Sequence, residues 1–139
     1  MKLLLDENLS RPATEALRNL ISRTREPVEI KHLLDLCPSG ILDLNWLPQF
    51  QDQIEPWLII TADSGKRCGG DRLPQICGEL GIRHVLLSGK LHQRRQFDKI
   101  RAVITVWPAL KEAHSSAAGS RFKLQQAGDT FVLKAASKP

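Results

Sequence analysis

Two short runs of the chain are apolar almost from end to end and stop on an aspartate: Leu3-Leu4-Leu5 before Asp6, and Trp57-Leu58-Ile59-Ile60-Thr61-Ala62 before Asp63. A strand with one wet face alternates apolar and polar residues, whereas a strand covered on both faces does not. These runs therefore predict central strands of a mainly parallel sheet with helices packed above and below it. In such sheets ligands bind beyond the carboxyl ends of the strands, so the same pattern that predicts the fold also predicts where chemistry would sit.

The rest of the chain fills in that frame. Ala13, Ala16, Leu17, Leu20 and Ile21 recur at helical spacing behind Pro12, which predicts a helix from Pro12 to Ser22. Val28, Ile30 and His32 alternate with Glu29 and Lys31 as in a more exposed strand. Pro38-Ser39-Gly40 marks a turn before a helix from about Ile41, carrying Leu42, Trp46, Leu47 and Phe50 and kinked or restarted at Pro48. The stretch from Ser64 to Arg72 reads as a loop, Leu73 to Leu80 as a short helix and His84 to Leu87 as the last of the parallel strands. Gln96 to Leu110 predicts a final core helix disturbed by Pro108. This order of strands and helices implies a three-layer α/β architecture with right-handed crossovers.

Residues 1–113 are expected to form that domain, and residues 114–139 a linker and a C-terminal β-hairpin extension. The hairpin is expected from Phe122-Lys123-Leu124 and Phe131-Val132-Leu133 around Ala127-Gly128-Asp129, packing on the sheet edge or mediating association, as in a homodimer. At 139 residues one core is the natural expectation. The initial apolar run is too short for a secretion signal, and charges or prolines interrupt every stretch long enough to cross a bilayer, so a cytoplasmic protein without membrane association is expected. Cys37, Cys68 and Cys77 show no zinc-finger spacing with one another or with the four histidines, and are expected to be inert thiols. A P-loop enzyme is excluded because no G-x-x-x-x-G-K-[ST] occurs.

The carboxylates and the bases are unevenly distributed. The formal charge is +5, and from Lys90 onward the only acids are Asp98, Glu112 and Asp129. A basic surface around an acidic pocket suits a polyanion such as RNA whose phosphate meets a metal, although a plain solvated surface has the same composition. Hard oxygen donors without a Cys or His cluster favour Mg²⁺, with Mn²⁺ as a substitute. Asp6 and Asp63 lead the candidate ligands. Asp43 is either a third ligand or a first-turn acid favoured by a helix dipole, and Asp71 either a fourth ligand or a solvated loop residue. Arg11, Lys66, Arg67, Lys90, Arg94 and Arg95 are the candidate phosphate contacts.

Leu3-Leu4-Leu5-Asp6-Glu7-Asn8-Leu9-Ser10, followed later by Ile59-Ile60-Thr61-Ala62-Asp63, resembles the small PIN-like proteins that include VapC-type toxins. The resemblance runs from Met1 to about Leu110. It implies an Mg²⁺-dependent endoribonuclease in which Asp6, Asp43 and Asp63 form the catalytic metal site, commonly a toxin blocked by a cognate antitoxin that inserts an Arg or Lys. Where many relatives continue T-x-D with a second Asp, this chain has Ser64-Gly65-Lys66, and Asp71 is the nominated substitute. Two other functions fit the residues: an RNA-binding module without catalysis, and a receiver-like phosphoacceptor domain with Asp63 as acceptor and Ser88 as its hydroxyl. The span from Asp6 to Asp63 is long for a receiver, and no Lys-Pro follows a later strand.

Overall fold

The computed structural model describes residues 1–37, 46–51, 55–62 and 73–136. The expected turn at residues 38–40, the beginning of the helix from Ile41 and the loop from Ser64 to Arg72 lie outside the described residues. Strands β1 (Lys2–Leu5), β2 (Glu29–His32), β3 (Trp57–Thr61), β4 (Arg83–Leu87), β5 (Arg121–Ala127) and β6 (Thr130–Ala135) form one sheet in the order β2-β1-β3-β4-β5-β6. All neighbours are parallel except β5 and β6, which make the C-terminal antiparallel hairpin.

The two apolar runs occupy the centre of the sheet, as their lack of alternation requires. Leu3, Leu4 and Leu5 of β1 and Leu58, Ile59 and Ile60 of β3 are all fully buried. Their side chains divide between two cores. Leu3, Leu5, Leu58 and Ile60 point to one face, which is covered by α1 (Arg11–Ser22), α3 (Gly89–His92), α4 (Gln96–Thr105) and α5 (Trp107–His114). Leu4, Trp57 and Ile59 point to the other, where α2 (Leu73–Glu79) and the 3-10 turns Leu33–Asp35 and Leu47–Phe50 pack. The chain is therefore a three-layer α/β structure. Each buried Leu or Ile removes apolar surface worth roughly 1.5–3 kcal/mol from water, which is why both faces must be covered. Cys37 and Cys77 are buried in the second core.

Local sequence explains the helix ends. The Ser10 side chain accepts from Ala13 N at 3.1 Å and caps α1, a contact worth about 1 kcal/mol, with Pro12 in the first turn. Proline also divides the predicted final helix. The chain breaks at Val106 and restarts as α5 with Pro108 in its first turn, where no backbone N–H is needed. Helix α5 runs on to His114. In the Leu47–Phe50 turn Pro48 likewise occupies the first turn.

Two expectations are corrected. β5 lies parallel to β4, so His84 to Leu87 is not the last parallel strand; the hairpin extends the sheet, and its Leu124 and Phe131 enter the first core. Its two-residue turn is Gly128-Asp129, with Gly128 at φ +61°, a conformation that other residues rarely adopt. The crossovers also do not share one hand. β3 to β4 and β4 to β5 step across the sheet in the same direction, but α2 covers one face and α3 to α5 the other. The right-handed rule holds for a helix packed on the two strands it joins. Here α4 packs beside α1, and His114 at the end of α5 donates from Nε2 to the Pro56 carbonyl at 2.8 Å, before the chain returns to the sheet edge.

Candidate active site

The strand order places a topological switch point between β1 and β3: from β1 the chain proceeds to one side through β2 and to the other through β3. A crevice opens at such a point beyond the carboxyl ends of the two strands, and Asp6 is the first residue past β1 there. Its backbone N–H still donates to the Ile60 carbonyl at 3.2 Å, so the carboxylate is anchored by the last rung of the central sheet.

Asp6 is 6% exposed. Its Oδ1 accepts from Asn8 N at 3.1 Å and its Oδ2 from Asn8 Nδ2 at 3.0 Å, an aspartate turn that sets the carboxylate's direction. The loop is held from outside as well. Gln96 of α4 donates from Nε2 to the Asn8 carbonyl at 3.1 Å, and its Oε1 accepts from Ser10 N at 2.9 Å. Lys99 Nζ donates to the same Asn8 carbonyl at 3.2 Å. From β2, the buried His32 donates from Nε2 to the Leu9 carbonyl at 2.6 Å, and its Nδ1 accepts from Leu34 N, which fixes the tautomer. Glu7, next in sequence to Asp6, points to solvent.

Three of these residues, His32, Gln96 and Lys99, escape a reading of the sequence for site residues. Lys99 left a trace: with Ala102, Val103 and Val106 it follows the spacing of a buried helix face, where lysine is out of place. Burial lowers its pKa while the nearby charge of Asp6 raises it, and the net direction is down.

Of the expected site residues, Asp43, Asp63, Asp71, Lys66 and Arg67 lie outside the described residues. Among the described residues no group of three or more His, Cys, Asp or Glu side chains gathers to hold a metal. Asp6 itself suits a hard divalent cation, being a nearly buried oxygen donor at the end of a rigid strand. The bases behave differently from one another. Arg11 reaches across to the Leu34 carbonyl at 2.7 Å and pairs with Asp35 at 3.6 Å. Arg94 pairs with Asp98 at 3.5 Å, while Arg95 and Lys90 are exposed. Arg94 and Arg95 immediately precede Gln96, the residue of α4 that holds the Asp6 loop. Ser88 accepts from Leu91 N at 3.2 Å and caps α3.

The strand order β2-β1-β3-β4-β5 is shared with receiver-type sheets, so it does not discriminate between the candidate functions. Family comparison does. Residues 1–67, just under half of the chain, match a family model described as a PIN-like domain. No curated protein and no solved structure matches the chain. No helix among the described residues is long and apolar enough to cross a membrane. The matched segment supplies β1, α1, β2 and β3, the elements that make the switch point and carry Asp6 to it; residues 1–67 are therefore PIN-like, and PIN-like domains are generally nucleases using divalent metal ions.

Proposed function

We propose that this chain is an Mg²⁺-dependent endoribonuclease and the toxin of a VapBC-type toxin–antitoxin pair, acting in the cytoplasm. The observation that carries the reading is the nearly buried Asp6 carboxylate at the switch point of a PIN-like domain. Asp6, Asp43 and Asp63 are the proposed catalytic ligands, with Asp71 the fourth acid. A bound divalent ion, Mg²⁺ or Mn²⁺, supplies a water of lowered pKa and neutralises charge on the phosphodiester. The protein's own part is to hold Asp6 rigidly, through Asn8, Gln96 and the last rung of the sheet, and to orient RNA. Arg94 and Arg95, with Lys66 and Arg67, are proposed to hold its backbone; Arg11, already engaged by Asp35, takes a lesser part.

Purified protein is expected to cut single-stranded or loop RNA in Mg²⁺, leave 5′-phosphate and 3′-hydroxyl ends, and stop on addition of EDTA. A metal-free ribonuclease using the 2′-hydroxyl would leave a cyclic phosphate instead. Arg94→Ala with Arg95→Ala should weaken RNA binding and flatten its salt dependence by about two counterions, visible as a shallower slope of log affinity against log salt. Metal-loaded protein that retains RNA without cutting it would overturn the enzyme and support the RNA-binding module.

The toxin assignment has its own test. A cognate antitoxin segment that places an Arg or Lys against Asp6 would compete with metal for the carboxylates. Co-expression with each adjacent open reading frame should yield a stable complex that is inactive on RNA. A chain that purifies alone in both cases, free or as a homodimer, is no toxin of such a pair, though still a nuclease if it cuts RNA.

A further inference from the structure

Lys99 is 4% exposed, and its ammonium is given one acceptor, the Asn8 carbonyl. An ammonium has three donors, and lysine is almost never fully buried unless it is paired. Lys99 takes part in no ion pair among the described residues. Nor is it needed as a tether, because Gln96 Nε2 already donates to the same carbonyl at 3.1 Å. A methionine would fill this place in the helix face without the cost of desolvating a charge. What the position has is proximity to Asp6: Lys99 Nζ donates at 3.2 Å to the carbonyl of Asn8, the residue whose N–H and Nδ2 hold the two carboxylate oxygens of Asp6.

We propose that Lys99 is a substrate-contacting residue: its ammonium donates to a non-bridging oxygen of the scissile phosphodiester held at Asp6. This deepens the nuclease reading and rests on it for the identity of the ligand. The lysine keeps its protons throughout, so no bond is made or broken at Nζ. Its effect is to bring one fixed positive charge to the phosphate from α4, the helix whose Gln96 holds the same Asn8 carbonyl. A charge built into the fold does not have to be recruited from solution, and it acts where water is largely excluded and hydrogen bonds to ions are strong.

The experiment measures inorganic phosphate binding in Mg²⁺, Mn²⁺ binding, and RNA cleavage, for wild type, Lys99→Met and Lys99→Gln. If Lys99 contacts phosphate, both variants should bind phosphate at least about tenfold more weakly, the loss of one charge-assisted hydrogen bond. They should also bind Mn²⁺ several-fold more tightly, because a like charge has been taken from beside the cation. A tether for the Asn8 loop would give the opposite sign, since loosening Asp6 weakens metal binding. Lys99→Gln retains an N–H donor and serves if Lys99→Met fails to fold. Unchanged phosphate affinity in a folded variant, or weaker Mn²⁺ binding, overturns the proposal. Cleavage that proceeds normally in Lys99→Met would sink Lys99 and leave the nuclease standing. Phosphate bound through Lys99 by a wild type that cuts no RNA would keep the contact and sink the nuclease.

Discussion

Asp6→Asn is expected to lower RNA hydrolysis by at least about 10³-fold while the protein still folds and still retains RNA. The substitution keeps the size of the side chain and one carbonyl oxygen, so Asn8 N can still donate to it. It removes the negative charge at the switch point, and with it an anionic ligand that a neutral amide does not replace. The new amide nitrogen would face Asn8 Nδ2, which now donates to Oδ2 at 3.0 Å, so the Asn8 amide must turn over. Lys99 also loses the charge that offsets its burial. Together these should cost about 1–3 kcal/mol, small enough for most folded domains to survive. RNA retention should persist because Arg94 and Arg95 sit outside the Asp6 loop. Single-turnover cleavage of a fluorogenic RNA, beside urea unfolding of the same preparation, measures both effects. Activity within tenfold of wild type would remove Asp6 from the chemistry. In the double variant with Lys99→Met the stability losses should not add, since the two charges offset each other.

Asp6 was legible in the sequence because its position follows from local pattern alone: an apolar run that ends in an acid must end at a sheet rim. The same holds for β1, α1 and β3, and for the disturbance at Pro108, which divides the one expected helix into α4 and α5. What was not legible depends on partners far along the chain. Gln96 and Lys99 serve the loop around Asn8 from 88 and 91 residues away, and although the spacing of Lys99 with Ala102, Val103 and Val106 marks it as inward-facing, nothing local says which segment it meets. The sequence showed β5 as one arm of a hairpin because Gly128-Asp129 sits beside it, whereas its parallel pairing with β4 comes from the packing of α3 to α5. Period-two alternation is the same for either direction of pairing. The hand of the β4–β5 connection follows from that packing too. For the acids the outcome is divided: Asp6 stands at the switch point, and Asp43, Asp63 and Asp71 remain proposals from sequence and resemblance.

Unfolding free energy is expected to fall by about 2–3 kcal/mol between pH 7 and pH 4.5, and His84 to account for most of it. His84 is 1% exposed on β4, beside Ile59 of β3 and opposite Arg121 of β5. Its Nε2 and the buried Thr61 Oγ1 are 2.8 Å apart. Burial, and after it the positive charge of Arg121, pushes its pKa from 6.5 down to about 3. The unfolded chain therefore takes up a proton near pH 6.5, while the folded protein resists until about pH 3. Over that window the unfolded state binds more protons, so stability falls with pH by up to about 1.4 kcal/mol per unit. Above pH 7 this histidine contributes no pH dependence. The carboxyls of Glu26 and Asp35, held low by partners such as Lys111 and His32 N–H, act in the same direction only as pH approaches their ordinary range of 4.5 and below. Urea unfolding at pH 7.5, 6.0 and 5.0 thus reads His84 before those acids titrate. His84→Gln, which can still bond to Thr61, should flatten the dependence across these three values. A wild type equally stable at pH 7.5 and 5.0 would mean that the imidazole is hydrated or paired when protonated, and that the layer beneath the carboxyl end of β3 is less dry than the packing of Thr61 and His84 requires.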